Sequence, residues 1–262
     1  MGASGGPRII NKGLVHYWDA IDKNSYLGSG TVWNDLVGSQ HGTLTNFAGT
    51  VPYSSFSGSG AIEFEGIGGN SYVDCGSNTY AMGTGDITIS TWVNSRVRYG
   101  PGWTPNDDRP LANGSTNFIG HIVHTRGLNS ADAANGFILT MAVDTIFFQV
   151  GDGSANNGDF RTAYTESGSW HNIVATRDST ANQFKVYIDG VDSGTDTDSL
   201  GDIGNNTAFT IGASNYPWDG KISNVRVYNR KLSAAEIKDD YITFSWRFNK
   251  EPNPNTGAIH PV

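Results

Sequence analysis

Glu63 and Glu65 stand two apart in the run Ala61-Ile62-Glu63-Phe64-Glu65. On a strand, residues i and i+2 share a face, and retaining glycoside hydrolysis uses two carboxyl groups about 5–5.5 Å apart. Glu65 precedes Gly66 at a strand end, so the pair reads as an ordinary solvent face. His121 and His124 lie three apart in Phe118–Thr125. Strand alternation sends them to opposite faces, which excludes a chelating pair. His171, after Trp170, reads as a hydrogen-bonded core histidine. No Gly-x-Ser-x-Gly elbow offers an acyl-transfer nucleophile. Gly66-Ile67-Gly68-Gly69 follows a strand but opens no helix, so it reads as a turn and not a phosphate cradle. Cys75 is the one cysteine, which excludes an internal disulfide and a cysteine-based zinc site. It reads as a small buried hydrophobe.

Two further groupings hold candidate ligands. Asp152-Gly153-Ser154-Ala155-Asn156-Asn157-Gly158-Asp159 offers oxygens to a hard cation, without the sixth-position glycine and closing glutamate of an EF-hand loop. A looser calcium site would use Asp152, Asn156 and Asp159; no other cofactor is expected. Sugar recognition needs an aromatic platform beside carboxylates and amides. One candidate is the long irregular segment Ser95–Pro110, with Tyr99, Trp103, Asn106, Asp107 and Asp108. The other is Asn215-Tyr216-Pro217-Trp218-Asp219. The alternative for both is burial of the rings against the domain's rim or a neighbouring subunit. Whether the two segments share one end of the domain is not readable from the sequence. Trp18, Trp33, Trp92 and Trp170 sit in patterned strands and read as core.

These residues need a scaffold of strands. The chain has 34 Gly among 262 residues and 16% charged residues, well under the usual quarter. That composition favours tight turns over long charged helices. Short apolar or alternating runs recur between Gly/Asn/Asp/Ser clusters. The clearest are Leu14–Trp18, Ala61–Glu65, Ile87–Val93, Phe118–Thr125, Phe137–Val143, Thr145–Val150, Trp170–Arg177, Phe184–Asp189, Phe209–Gly212 and Ile222–Tyr228. In the third, Ile87 and Ile89 point one way and Thr88 and Ser90 the other. Trp170–Arg177 is expected to pair antiparallel with Phe184–Asp189 through Asp178–Gln183, and Asp189-Gly190 is a hairpin turn signal. Ser233-Ala234-Ala235-Glu236 is a capping box. It predicts one helix from Ala234 to about Tyr241, with Ile237 and Tyr241 on one face, packed on the rim.

The expected organisation is a Gly-rich flexible arm over 1–12, one domain over 13–248 and an extended Pro-containing tail over 249–262. Both ends are expected to be ordered through neighbouring subunits. The net charge of −8 disfavours nucleic acid as a partner. MGASGGPRII lacks the apolar segment and cleavage pattern of a signal peptide. Gly6 stands where a myristoylation motif needs Ser or Thr. No stretch approaches a transmembrane length, so membrane insertion is not expected.

The ordered motifs Gly13-Leu14-Val15-His16-Tyr17-Trp18-Asp19-Ala20, Tyr26 through Leu36, Ile62–Gly66 with Tyr72-Val73, Trp170–Thr176, Tyr187–Gly190 and Gly220–Arg230 leading into Leu232-Ser233 carry a resemblance. Over about 13–241 the chain resembles the concanavalin A-like lectin/glucanase superfamily, in its laminin-G-like jelly-roll branch. The resemblance implies an all-β antiparallel sandwich of two stacked sheets, with the short C-terminal helix. The glucanase branch carries Glu-x-Asp-x-x-Glu on one strand; that cluster is missing here, so no enzymatic activity is expected. Relatives often carry an acidic pair before Val-Arg in the last strand, where this chain has Ser223 and Asn224. The Tyr26–Leu36 opening is similar to laminin-G-like domains on bacteriophage virion proteins. That likeness implies a virion component (capsid decoration, fibre or tail), made in the host cytoplasm. Its partners would be other virion proteins, further copies of itself, or a host cell-surface glycan. The alternative is a stand-alone carbohydrate-binding module of a bacterial surface or secreted system.

Overall fold

The computed structural model describes residues 9–48, 53–56, 59–66, 69–77, 83–95, 118–125, 135–142, 145–153, 157–164, 168–197, 200–203, 208–213 and 216–248. In chain order the strands are β1 (Leu14–Asp19), β2 (Val32–Trp33), β3 (Gly42–Thr45), β4 (Tyr53–Phe56), β5 (Ser59–Glu65), β6 (Tyr72–Ser77), β7 (Ile87–Ser95) and β8 (Phe118–His124). They continue as β9 (Gly136–Ala142), β10 (Thr145–Gly151), β11 (Asn157–Ala163), β12 (Trp170–Asp178), β13 (Gln183–Ile188), β14 (Val191–Thr197), β15 (Ala208–Ile211) and β16 (Asp219–Tyr228). Helix α1 (Ala234–Ser245) and a 3₁₀ turn (Trp246–Phe248) follow.

The strands form two antiparallel sheets. Sheet A has the order β14-β13-β12-β7-β16-β5-β4, with β1 also on β16, and sheet B the order β11-β10-β9-β8-β15-β6-β3-β2. Alternation puts one row from each strand into the main core. Ile87, Ile89, Ile173, Ala175, Ile222, Val225 and Val227 come from sheet A. Val73, Cys75, Phe137, Leu139, Ile146, Phe148 and Ile211 come from sheet B. Cys75 is buried there, and burial pushes its thiol pKa up. The β12–β13 hairpin pairs Ile173 with Ile188 through to Asp178 with Gln183, as its sequence predicts.

Helix α1 does not sit on the rim; it lies across the outer face of sheet A. Ile237 packs with Val174, Tyr187, Tyr228 and Leu232. Phe244 and Phe248 pack with Trp92 of the central strand β7. The apolar stripe Ile237–Phe244–Phe248 carries the helix beyond Tyr241. Both halves of the capping box form: Ser233 Oγ accepts from Glu236 N, and Glu236 accepts from Ser233 N. Beneath the helix, Arg226 and Asp240 make a fully buried ion pair, braced by Ser90. Residues 9–12 of the expected arm are held within the domain: Ile9 packs on the Trp92 cluster and Ile10 on the Tyr228 cluster. Lys12 O accepts from Arg230 Nε at 2.8 Å. The remainder of the arm, residues 1–8, and the tail over 249–262 lie outside the described residues.

Candidate functional site

With the central strands of sheet A covered by α1, the outer face of sheet B is the broader open surface of the sandwich. Its central feature comes from a bulge in β8. His121 stands opposite Thr140 and His124 opposite Ile138, with the register shifted between His121 and Val123. The extra residue cancels one step of alternation. Both imidazoles therefore leave the sheet on its outer side, stacked with centroids 5.2 Å apart and planes 5° apart. This corrects the opposite-face expectation. Parallel stacked rings still do not converge their nitrogens on one ion, so the pair is no chelate. His121 Nδ1 lies 2.8 Å from Thr140 Oγ1, whose hydroxyl donates to Gly120 O at 2.9 Å. Thr140 must then accept from His121, which places a proton on Nδ1.

Cross-strand registers extend this centre into rows. One row runs Asp159–Gln149–Ile138–His124–Thr210–Asp74–Thr43–Val32, over all eight strands of sheet B. At about 4.8 Å per strand, Asp159 and Asp74 are roughly 24 Å apart. Beside it runs Arg161–Phe147–Thr140–His121. The Arg161 guanidinium lies 4.7 Å from the Phe147 ring centroid and pairs with Asp159 Oδ2 at 2.5 Å. His121, His124, Thr140 and Thr210 are buried; Tyr72, Asp74, Phe147, Gln149 and Asp159 are half-buried, and Arg161 is exposed.

The sequence-derived candidates fall unevenly on this map. Tyr216 joins the site: its ring lies 4.8 Å from that of His121, and its carbonyl accepts from His121 N at 3.0 Å. Trp218, two residues on, is 0% exposed and belongs to the main core. It presents no ring face to solvent, which corrects its expected place on a stacking platform. Asp219 is also buried, at the start of β16 opposite Glu65. Tyr99, Trp103, Asp107 and Asn215 lie outside the described residues. The described anchors of the two segments nevertheless meet. Ser95, before the long segment, pairs with Gly220, and β8, after it, begins beside Tyr216 and Pro217. The two segments are thus rooted at one place, the question the sequence left open.

The other candidates lie elsewhere. Glu63 and Glu65 share the outer face of sheet A; Glu63 is 3.9 Å from Lys221 Nζ. In the β10–β11 hairpin Asp152 stands in the turn and accepts from Gly201 N at 3.1 Å. Asp159 stands opposite Gln149, roughly 10 Å back along the strand, so the two carboxylates serve different partners. Asn156 lies outside the described residues. Among the described residues no group of three His, Cys, Asp or Glu side chains is placed to hold a metal ion. His171 is hydrogen-bonded to Asp189 at 2.9 Å, at the edge of the core. No described helix is long and apolar enough to cross a membrane.

Residues 67–238 match a laminin G family model described as the Concanavalin A-like lectin/glucanases superfamily. The chain belongs to this superfamily. No curated protein matches the sequence. Among solved structures, the binding domain of Paraclostridial Mosquitocidal Protein 1 aligns with TM-score 0.64 and 18% identity, covering 88% of this chain and 52% of that one. The binding domain of botulinum neurotoxin DC, in complex with SialylT, aligns with TM-score 0.61 and 15% identity over 88% and 51%. Domain 4 of AbnA, an extracellular arabinanase from Geobacillus stearothermophilus in complex with arabinotriose, aligns with TM-score 0.57 and 18% identity over 86% and 97%. The chain spans about half the length of the two toxin chains. At these identities the likeness is one of fold: a lectin-like concanavalin A-type sandwich.

Sequence reasoning missed the His121–His124 stack, the half-buried Tyr72, Asp74 and Phe147 around it, and the exposed Arg161. Tyr72-Val73-Asp74-Cys75 and Thr145–Val150 do alternate. The legible signal was therefore their polar row, which alternation alone assigns to solvent.

Proposed function

We propose that this chain is a non-catalytic carbohydrate-binding module that takes an extended glycan across the outer face of sheet B. The observation that carries the reading is the asymmetry of the two outer faces. Over its central strands sheet A is covered by α1 and the Trp92 cluster. Sheet B keeps a transverse band of hydroxyl, carboxylate, amide, imidazole and aromatic groups. Tyr72 and Phe147 give rings for the apolar face of a pyranose. Asp74, Gln149 and Arg161 give donors and acceptors for its hydroxyls. Solved relatives of this fold that hold SialylT or arabinotriose support the glycan class. A glycan array and polysaccharide retention with wild type, Phe147→Ala and the double variant Tyr72→Ala/Asp74→Ala test it. Loss of binding in the folded variants is expected; equal binding by all three proteins eliminates this face. No reducing sugar should be released from any bound glycan.

The wider setting we propose is display on a phage particle, attached to other virion proteins or further copies of the chain. Two points support it: the virion-type resemblance of Tyr26–Leu36, and the packing of Ile9 and Phe248 on one cluster at the sheet A side. Attachment from that side leaves sheet B directed outward. Mass spectrometry of purified particles tests this, and a chain found only free in the lysate counts against it.

A further inference from the structure

The outer face of sheet A carries a row that α1 covers although it is not apolar. Asp19 pairs with Asn224, Asn224 with Trp92, and Trp92 with Asn172, across β1, β16, β7 and β12. Asn224, Trp92 and Asn172 are all 0% exposed. Their polar atoms are incompletely used. Asn172 Nδ2 donates to Ser90 Oγ and Thr91 O. Asn172 Oδ1, both amide atoms of Asn224, Trp92 Nε1 and Arg226 Nε in the adjoining row are buried without a hydrogen-bond partner from the protein.

An orphaned buried polar group costs the full desolvation of that group. Five in one patch would take up much of a domain's stability margin. Charge does not explain them, because Arg226 is matched by Asp240 and Arg247 by Asp19. The patch therefore calls for a neutral guest that both donates and accepts. Its unmet acceptors are two carbonyl oxygens, and its unmet donors are an amide, an indole and a guanidinium nitrogen. Water, with two protons to give and two lone pairs to receive, fits that set. We propose that the Asn224–Trp92–Asn172 row is an internal hydration site, where at least one ordered water bridges sheet A beneath the C-terminal helix.

The site makes Asn224 a structural ligand of water and gives a sign to its replacement. In Asn224→Leu a bridging water loses its partner, and Trp92 Nε1 and Asn172 Oδ1 are left bare. The melting temperature should fall by about 2–10 °C. If the row is dry, Leu relieves an orphaned amide and the melting temperature holds or rises, which overturns the proposal. A crystal structure of the full wild-type chain is the second measurement, and it decides even if the variant does not fold. Density about 2.7–3.2 Å from at least two of the five atoms is expected. A row without such density, with Asn224 turned onto a protein partner, refutes the site.

Discussion

Gly120→Ala tests the junction that places Tyr216 beside His121. Gly120 has φ +127°, a region L side chains rarely adopt, and a Cβ there would lie 2.2 Å from Pro217 O and 2.7 Å from Trp218 Cα. These contacts are backbone, so no side chain can rotate away. The substitution must strain β8 or push the 216–218 segment off it, breaking the 3.0 Å bond from His121 N to Tyr216 O. Backbone strain of about 1–3 kcal/mol, overpacking of about 1–3 kcal/mol and a lost hydrogen bond of about 1 kcal/mol together give about 3–7 kcal/mol. For a domain of this size that is a fall in melting temperature of roughly 6–28 °C. Gly30→Ala is the control: φ is +90°, with nothing within 4 Å of the added Cβ, so it carries backbone strain alone, about 1–2 kcal/mol. Calorimetry on both variants separates the steric contact from the dihedral, and glycan retention reports whether the face is disturbed. A Gly120→Ala melting temperature no lower than that of Gly30→Ala would refute the close approach of the two segments.

Trp218→Ala should cost about 3–5 kcal/mol, the range for emptying a fully buried indole site; an unchanged midpoint in urea titration would contradict its place in the core. Asp240→Ala leaves the Arg226 guanidinium buried and unpaired, at a cost of about 3–5 kcal/mol. Burial opposes the charge of Arg226, but Asp240 together with Tyr228 and Tyr17 outweighs it, so its pKa is raised. The double change Arg226→Met/Asp240→Leu should be milder than Asp240→Ala alone, and additive losses in a double-mutant cycle would argue against the pair. The Arg230 guanidinium and the capping-box bond from Ser233 hold the Glu236 carboxyl at about 2, against an ordinary 4.5. A depressed folded pKa means that its contribution is present above pH 4.5 and is lost as pH falls towards 2. The partly exposed pair limits that contribution to about 1 kcal/mol. Glu236→Gln should flatten that part of the stability–pH curve, and an unchanged slope would show that the pair is inert.

The strands of the inner layers were legible in the sequence because each buries one row and says so by alternation, as in Ile87–Val93. The capping box likewise marked the start of α1 within one residue. The edge strands β11 and β14 were not legible. Val191–Thr197 has no apolar row, and its pairing with β13 is a tertiary fact. Asn157–Ala163 read as part of a cation loop because only Phe160 among its larger side chains is apolar. What sequence by itself determined is therefore the class of fold, the β12–β13 hairpin and the missing Gly-x-Ser-x-Gly elbow and Glu-x-Asp-x-x-Glu cluster. Only the tertiary structure decided which face is open. The sequence places Trp92 in a patterned strand and Trp218 in an irregular segment, yet both are fully buried, one under the helix and the other between the sheets. Strict alternation placed His121 and His124 apart, and a one-residue bulge brought them together. Alternation is a local property of a regular backbone, and it fails where the register shifts. Burial of a face depends on what crosses it, and α1 reaches Trp92 from more than a hundred residues further along the chain.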